Sequence, residues 1–250
     1  MTMERRQADE DRPGRAQGAG LPALKHAPLR EQVYRRLREA LMSGRFPPRE
    51  VITIRSIAES LGTSAMPVRE ALRRLVAEQA LEVLRNRSVA VPSMTRVRFE
   101  ELYRVRVMLE GTAAAWAATR ITPGELRALD RLSRDIERCI EAGDTQSYLK
   151  ANASFHFGIY HAARSQVLLP IIESLWLQVG PFFNHTAAAA NDYRLAHQHH
   201  EEALAGLVAR DPEAARAGIA GDITAAAEYL LAGYPFDEPD VPAVPGQAAE

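Results

Sequence analysis

Three groups of side chains in this 250-residue sequence stand at spacings that could do chemistry. The first is basic. Arg69 and Arg73 lie one helical turn apart, with Ser64, Ala65 and Met66 just ahead of them, Arg55 upstream and Arg85-Asn86-Arg87 downstream. The arginine fork reads guanine edges bidentately and also holds phosphates, so this set points to duplex DNA. The competing reading makes Arg69 and Glu70 an exposed ion-paired face. The second group is Asn152 and His156, which at i and i+4 share one face of a helix. The third is Arg106 and Glu110 at the same spacing. They could form an internal ion pair, or Arg106 could face a cavity and grip a carboxylate bidentately.

Those residues need elements to hold them. Leu29, Val33, Leu37 and Leu41 recur every four residues and predict an amphipathic helix over Leu29–Met42. Gly44 stops it, and Pro47-Pro48 prevents its continuation. A short helix is expected over about Ile54–Leu61 with Thr53 as N-cap. The turn Gly62-Thr63-Ser64 leads to a third helix over about Ala65–Gln79, where Ser64 can cap and Pro67 sits harmlessly in the first turn. Small Ala58 suits a close helix crossing, and Val68 would pack the third helix on the second. Two short alternating runs, Leu81–Leu84 and Val89–Pro92, flank the polar tip Arg85–Ser88 and predict a β-hairpin. This is the order of a winged helix-turn-helix, whose recognition helix meets base edges through its N-terminal half. The wing tip would enter a minor groove or hold backbone phosphates.

Helical spacing then dominates. Phe99, Leu102, Val105, Met108, Leu109 and Ala113 predict a helix over 96–118. Thr122-Pro123 opens a second, closed by Gly143; Asp144 caps a third that reaches about Ala163. Two more are expected around 166–189 and 192–209, and Asp211-Pro212-Glu213 opens a last one to about Leu231. The expected fold is mostly α: a winged helix-turn-helix over 25–92 with a small β-hairpin, followed by an all-α antiparallel helical bundle over 96–234. The polar segments 1–24 and 235–250 read as disordered tails.

Composition narrows the class further. The net charge of −1 conceals a division: residues 21–92 hold 13 Lys/Arg against 7 Asp/Glu, and residues 93–250 hold 14 against 21. A basic front on an acidic body suits a protein of which only the front meets a polyanion. No apolar run reaches the roughly 18 residues of a membrane span, so no membrane partner is expected, and the first 20 residues lack a secretory apolar stretch. The lone Cys139 suggests a reducing cytoplasm and a packing role.

The run Ser64-Ala65-Met66-Pro67-Val68-Arg69-Glu70-Ala71-Leu72-Arg73-Arg74-Leu75 resembles the recognition-helix signature of the GntR family of transcription regulators. Ile57–Gly62 and the Asn86-Arg87 tip match it too, so the resemblance spans about 29–92. It implies DNA contact at Arg55, Ala65, Arg69 and the wing tip. Ala65 replaces a usual Arg, Met66 a usual Thr, and Ser88 and Ala90 a usual Gly and a frequent Arg. Met66 could touch a thymine methyl, and a lost contact is worth about 1–3 kcal/mol against a specific site.

Glu101–Glu110 resembles the opening helix of the C-terminal FCD domain of the FadR-type branch. That branch implies a homodimer that binds operator DNA, most often as a repressor, with a small carboxylate effector inside the bundle. It also implies a divalent metal (zinc, nickel or manganese). Asn152-Ala153-Ser154-Phe155-His156 fits its first ligand element. The spacing of eleven residues on either side of Asp211 assigns the others to His200 and Asp222, an Asp standing where the branch has His. An Asp oxygen still suits such a metal. With Arg106, the residues Tyr103, Asn184 and Arg194 are the candidates for effector contact. The alternative class is a metal-dependent enzyme, but no general base or Gly-rich loop accompanies the set, and the basic front would be left without a purpose.

Overall fold

The computed structural model describes residues 28–186 and 192–238, and within them the side chains of all but 186 and 192–196. The expected tail 1–24 and residues 239–250 lie outside the described residues. In the front part, helix α1 (Leu29–Met42) buries Val33, Tyr34, Leu37 and Leu41 on one stripe. It ends where Gly44 adopts a left-handed φ of 68°. Strand β1 (Val51–Ile52) follows, and then helix α2 (Ile54–Leu61), whose N-cap Thr53 hydroxyl accepts from the Ser56 amide at 3.1 Å. Gly62 closes α2 in the left-handed region, a conformation that costs a residue without Cβ least.

Helix α3 (Ala65–Ala77) turns Val68, Ala71, Leu72 and Leu75 inward. Ser64 takes the extended N-cap conformation, but its hydroxyl makes no capping bond, contrary to expectation. The hairpin strands are β2 (Glu82–Val83) and β3 (Val89–Ala90), and the sheet has a third member that the sequence did not reveal. Val51 and Ile52 pair antiparallel with Ala90 and Val89, giving the order β1-β3-β2. A two-residue strand is too short to show alternation, so only pairing reveals it.

Six stretches of the bundle were expected to be helices. Five are: α4 (Arg96–Arg120), α5 (Pro123–Ala142), α6 (Thr145–Ala162), α9 (Asp192–Ala209) and α10 (Pro212–Gly233). The expected continuous helix over 166–189 is broken. Helix α7 (Leu168–Val179) passes into a single 3-10 turn at Gly180–Phe182, followed by the short α8 (Phe183–Thr186). Pro181 carries no amide hydrogen for the α-helical ladder, so the chain tightens there.

The caps follow their chemistry. Thr122 and Glu125 form a reciprocal capping box at α5. Asp144 caps α6 through Ser147, and Asp211 caps α10 through Glu213 and Ala214. Helices α9 and α10 approach until their backbones touch. A Cβ on Gly218 would lie 2.4 Å from the Ala203 amide nitrogen, and one on Gly206 would lie 2.4 Å from that of Ala215.

The two halves share packing. Leu177 of α7 is buried in the front core with Leu37, Leu41 and Leu75, and Arg38 pairs with Glu173 at 3.0 Å. The segment after α10, expected as the start of a tail, folds back instead. Phe236 packs 5.1 Å from the Phe99 ring, the Asp237 amide donates to Met94 O at 3.1 Å, and the Asp237 carboxylate pairs with Arg49. An aromatic side chain amid Pro and acidic residues carries no periodicity, so only its partners show that it is held.

Candidate nucleic-acid interface and metal centre

Helix α3 separates its duties by face. Opposite the buried stripe, Ser64, Ala65, Met66, Arg69, Glu70 and Arg73 are all exposed, and Met66 leaves 65% of its surface in solvent. Among the described residues, Arg69, Glu70, Arg73, Arg85 and Arg87 enter no ion pair, which removes the reading of Arg69 and Glu70 as a paired face. Arg74 differs: it pairs with Glu31 and Glu78 and lies 3.6 Å from the centroid of the Tyr34 ring. Arg55, near the start of α2, pairs with Glu59 at 2.8 Å but remains almost wholly exposed. An exposed i,i+4 pair of this kind is worth only about 0.3–0.5 kcal/mol, so a phosphate could replace Glu59.

The wing tip is an Asx turn. Asn86 Oδ1 accepts from the Ser88 amide at 3.0 Å and its hydroxyl at 2.6 Å, and Arg87 adopts the left-handed φ of 63°. The strained position is therefore residue 87, so Ser88 needs no glycine. Ala90 is buried in β3.

Inside the bundle, α6, α9 and α10 bring three ligand-type side chains together. His156 Nε2 lies 3.1 Å from Asp222 Oδ2 and 3.2 Å from His200 Nε2, and His200 Nε2 lies 3.3 Å from Asp222 Oδ1. All three residues are buried. Burial alone would raise the Asp222 carboxyl, but the adjacent imidazoles hold it well below the usual carboxylate range. Burial pushes His200 below its ordinary value and keeps it neutral. Asp222 is thus an anion beside a neutral His200 imidazole, the protonation that metal ligation requires of such side chains.

Its dimensions also fit. Ligands at 2.0–2.2 Å from one ion stand about 2.8–3.6 Å apart, from octahedral to tetrahedral angles, a range that includes the spacings here. One turn before His156, Asn152 Oδ1 is buried with no hydrogen-bond partner, as is His200 Nδ1. An orphaned acceptor one helical turn from His156, on the same side of α6, suits a cation better than a dry polar cavity.

The proposed effector residues do not gather there. Arg106 is the internal ion pair: its Nε donates to Glu110 Oε1 at 2.6 Å, and its guanidinium lies over the Trp176 and Phe183 rings. Only 6% of it is exposed, so it has no fork to offer a ligand. Tyr103 packs beside Phe99. Asn184 sits at the junction with the front part, donating to Gly44 O and accepting from Gln146. Arg194 lies outside the described side chains. Of the other described histidines, His199 pairs with Glu202 at 2.8 Å, His185 packs on Tyr234, and the His197 ring lies 6.4 Å from that of His200. Sequence reasoning missed Tyr160 and Trp176, which hydrogen-bond Glu110 from two other helices. No local spacing relates residues 50 and 66 positions away.

A basic winged helix joined to a helical sensor-like bundle defines a class, the DNA-binding transcription regulators. Residues 29–91 match the gntR family of bacterial regulatory proteins and residues 101–225 match the FCD domain; the chain belongs to this family. It is 34% identical over 199 residues to the HTH-type transcriptional regulator McbR of Escherichia coli K12, covering 79% of this chain and 90% of that protein. The solved structure of E. coli McbR/YncC superposes with a TM-score of 0.77 at 31% identity, over 82% of this chain and 98% of that one. The E. coli repressor GlaR is 24% identical over 187 residues, 71% of this chain and 84% of its own length. A GntR regulator structure from Rhodococcus sp. RHA1 shares the fold, with a TM-score of 0.67 at 22% identity, over 82% of this chain and 98% of that one. These relatives are regulators, not enzymes, which decides between the two classes that the metal-type residues allowed. Among the described residues, no helix is long and apolar enough to cross a membrane.

Proposed function

We propose that this GntR-family regulator is an effector-responsive repressor that binds a palindromic operator as a homodimer. Ser64, Ala65, Met66, Arg69 and Arg73 of α3 enter the major groove, while Arg55 and the tip Arg85-Asn86-Arg87 hold phosphates or the neighbouring minor groove. Asn152, His156, His200 and Asp222 hold a divalent metal (zinc, nickel or manganese). The ion supplies open coordination positions for the carboxylate of a small organic acid. The observation that carries this reading is the triangle of His156 Nε2, His200 Nε2 and the Asp222 carboxylate, with edges of 3.1–3.3 Å, buried behind an exposed arginine face. With Arg106 committed to Glu110, the carboxylate is met at the metal and not by that guanidinium.

Repression fits the naming of GlaR as a repressor. Control of DNA affinity requires that the acid bind one arrangement of the two winged domains better than another. The test combines elemental analysis, thermal-shift screening of small organic acids and operator binding by fluorescence anisotropy. Native protein should carry about one metal per chain, Asp222→Ala should carry none, and a stabilising acid should weaken operator binding. Operator affinity should also fall steeply and log-linearly with salt. A metal-free protein indifferent to every acid, or an affinity flat in salt, would sink the proposal.

A further inference from the structure

His156 has two ring nitrogens, and only Nε2 faces His200 and Asp222. Its other nitrogen, Nδ1, lies 2.9 Å from the Tyr160 hydroxyl one turn along α6. That hydroxyl also lies 2.5 Å from Glu110 Oε2 on α4. Glu110 is surrounded by donors. It accepts from Arg106 Nε at 2.6 Å, from Arg106 Nη2 at 3.3 Å and from Trp176 Nε1 at 2.8 Å. A carboxylate so engaged has no proton to give, so between the phenol and Glu110 the phenol is the donor. A phenol holds its proton up to about pH 10, so Tyr160 is the partner of Glu110 that has a proton to give.

A phenol has one proton. Because it goes to Glu110, the Tyr160 oxygen can only accept from the histidine, and His156 must carry its proton on Nδ1. We propose that Tyr160, held by Glu110, is a positioning residue that fixes His156 as the Nδ1–H tautomer and so keeps a bare Nε2 lone pair facing His200 and Asp222. The consequence for a metal rests on the reading above; the tautomer itself does not.

The alternative has a concrete competitor. With Asp222 Oδ2 only 3.1 Å from Nε2, a proton on that nitrogen would gain a charge-assisted hydrogen bond. It would then occupy the ligand atom. Tyr160 and Asp222 therefore compete for the orientation of one imidazole, and no solvent can arbitrate, because Tyr160 and His156 are each 1% exposed. Hydrogen bonds of this outer kind, to the remote nitrogen of a ligating histidine, typically govern 10–100-fold in metal affinity. The same arrangement gives Glu110, held by Arg106, a task beyond packing: it orients the residue that orients the ligand.

The test uses full-length, metal-free protein labelled with 15N at histidine. Ring 15N shifts, with the His156 signals assigned by their loss in His156→Gln, should show Nδ1 protonated and Nε2 bare. Tyr160→Phe keeps the ring that packs edge-on against Phe157 at 5.7 Å, yet removes the acceptor. It should move the His156 proton to Nε2 and weaken zinc binding about 10–100-fold by competition titration. Trp176→Phe takes a donor from Glu110 but leaves the phenol in place, and should leave the tautomer unchanged. Wild-type His156 protonated on Nε2, or a Tyr160→Phe protein with an unaltered tautomer, overturns the proposal, and the first needs no variant to fold. If the tautomer shifts as expected while wild-type protein takes no zinc, the metal reading fails and the positioning role stands.

Discussion

Arg69 is the side chain on which sequence-specific binding should depend most. It is exposed on the N-terminal half of α3, without an ion-pair partner among the described residues, and one turn from the equally unpaired Arg73. Arg69→Ala should weaken binding to the specific operator by about 1–3 kcal/mol, against a much smaller loss on random duplex. Its melting temperature should stay close to wild type, because no packed contact is removed. Equal losses on both duplexes would demote Arg69 to a phosphate contact. The exposure of Met66 beside it supports the thymine-methyl role that its side-chain type suggested. Arg69 was legible in the sequence because helical spacing alone separates its face from that of Val68, Leu72 and Leu75. Arg106 was legible only as an alternative: its pairing with Glu110 follows from the i,i+4 spacing, but the rings of Trp176 and Phe183 that cover it come from another part of the chain.

The elements carry tolerances that residue types alone hide. His200 reaches Asp222 because α9 and α10 cross with glycine against backbone. Gly218→Ala would drive a Cβ to 2.4 Å from the Ala203 nitrogen, three residues from His200. The helices must part, so a loss of about 1–3 kcal/mol is expected, read as a lower melting temperature together with weaker zinc uptake. Unchanged zinc uptake would show that the site tolerates the displacement.

The start of α5 responds to pH. The Glu125 carboxyl is held below its ordinary value, first by the Thr122 amide and then by the Thr122 hydroxyl and Arg164. A group lowered on folding stabilises above its unfolded pKa and loses that contribution as pH falls through the folded one. The stability gap between wild type and Glu125→Gln should therefore be full near neutrality and shrink below about pH 4. Urea melts at several pH values would show it; a gap that widened in acid would reverse the assignment. The capping signals were readable because they are local. The break at Gly180-Pro181 was passed over, since apolar spacing continues across it; a Cβ at Gly180 would meet the Leu41 carbonyl at 2.5 Å, a constraint that another part of the chain imposes.

At the scale of the molecule, α7 joins the two halves: its Trp176 donates to Glu110 in the bundle and its Leu177 lies in the core of the winged part. A change around His156 thus has a short packed route towards α1, through Tyr160, Glu110 and Trp176. The bundle also leaves apolar surface uncovered. Met108 and Trp116, two turns apart on α4, are 60% and 41% exposed, and the palindromic operator proposed above calls for a second copy of the chain as their partner. Trp116→Asp should shift the protein towards monomer in light scattering and weaken operator binding, with its helical circular dichroism retained. A variant that remained dimeric would place the interface elsewhere.

Most helix positions and caps, the exposed arginine face of α3 and the family came from the sequence alone, because each depends on residues within a turn or two of one another. The tertiary structure decided the rest. It showed that Arg106 is consumed by Glu110, that Phe236 and Asp237 are pinned to Phe99, Met94 and Arg49, and that β1 completes the sheet. It also showed that, of Asn152, His156, His200 and Asp222, set out along 71 positions of chain, two imidazole nitrogens and one carboxylate meet at about 3 Å. The physical reason is one of range. Periodicity records which face of an element is buried, whereas the partner that fills a hydrogen bond across the core is set by how elements cross, and no spacing along the chain encodes that.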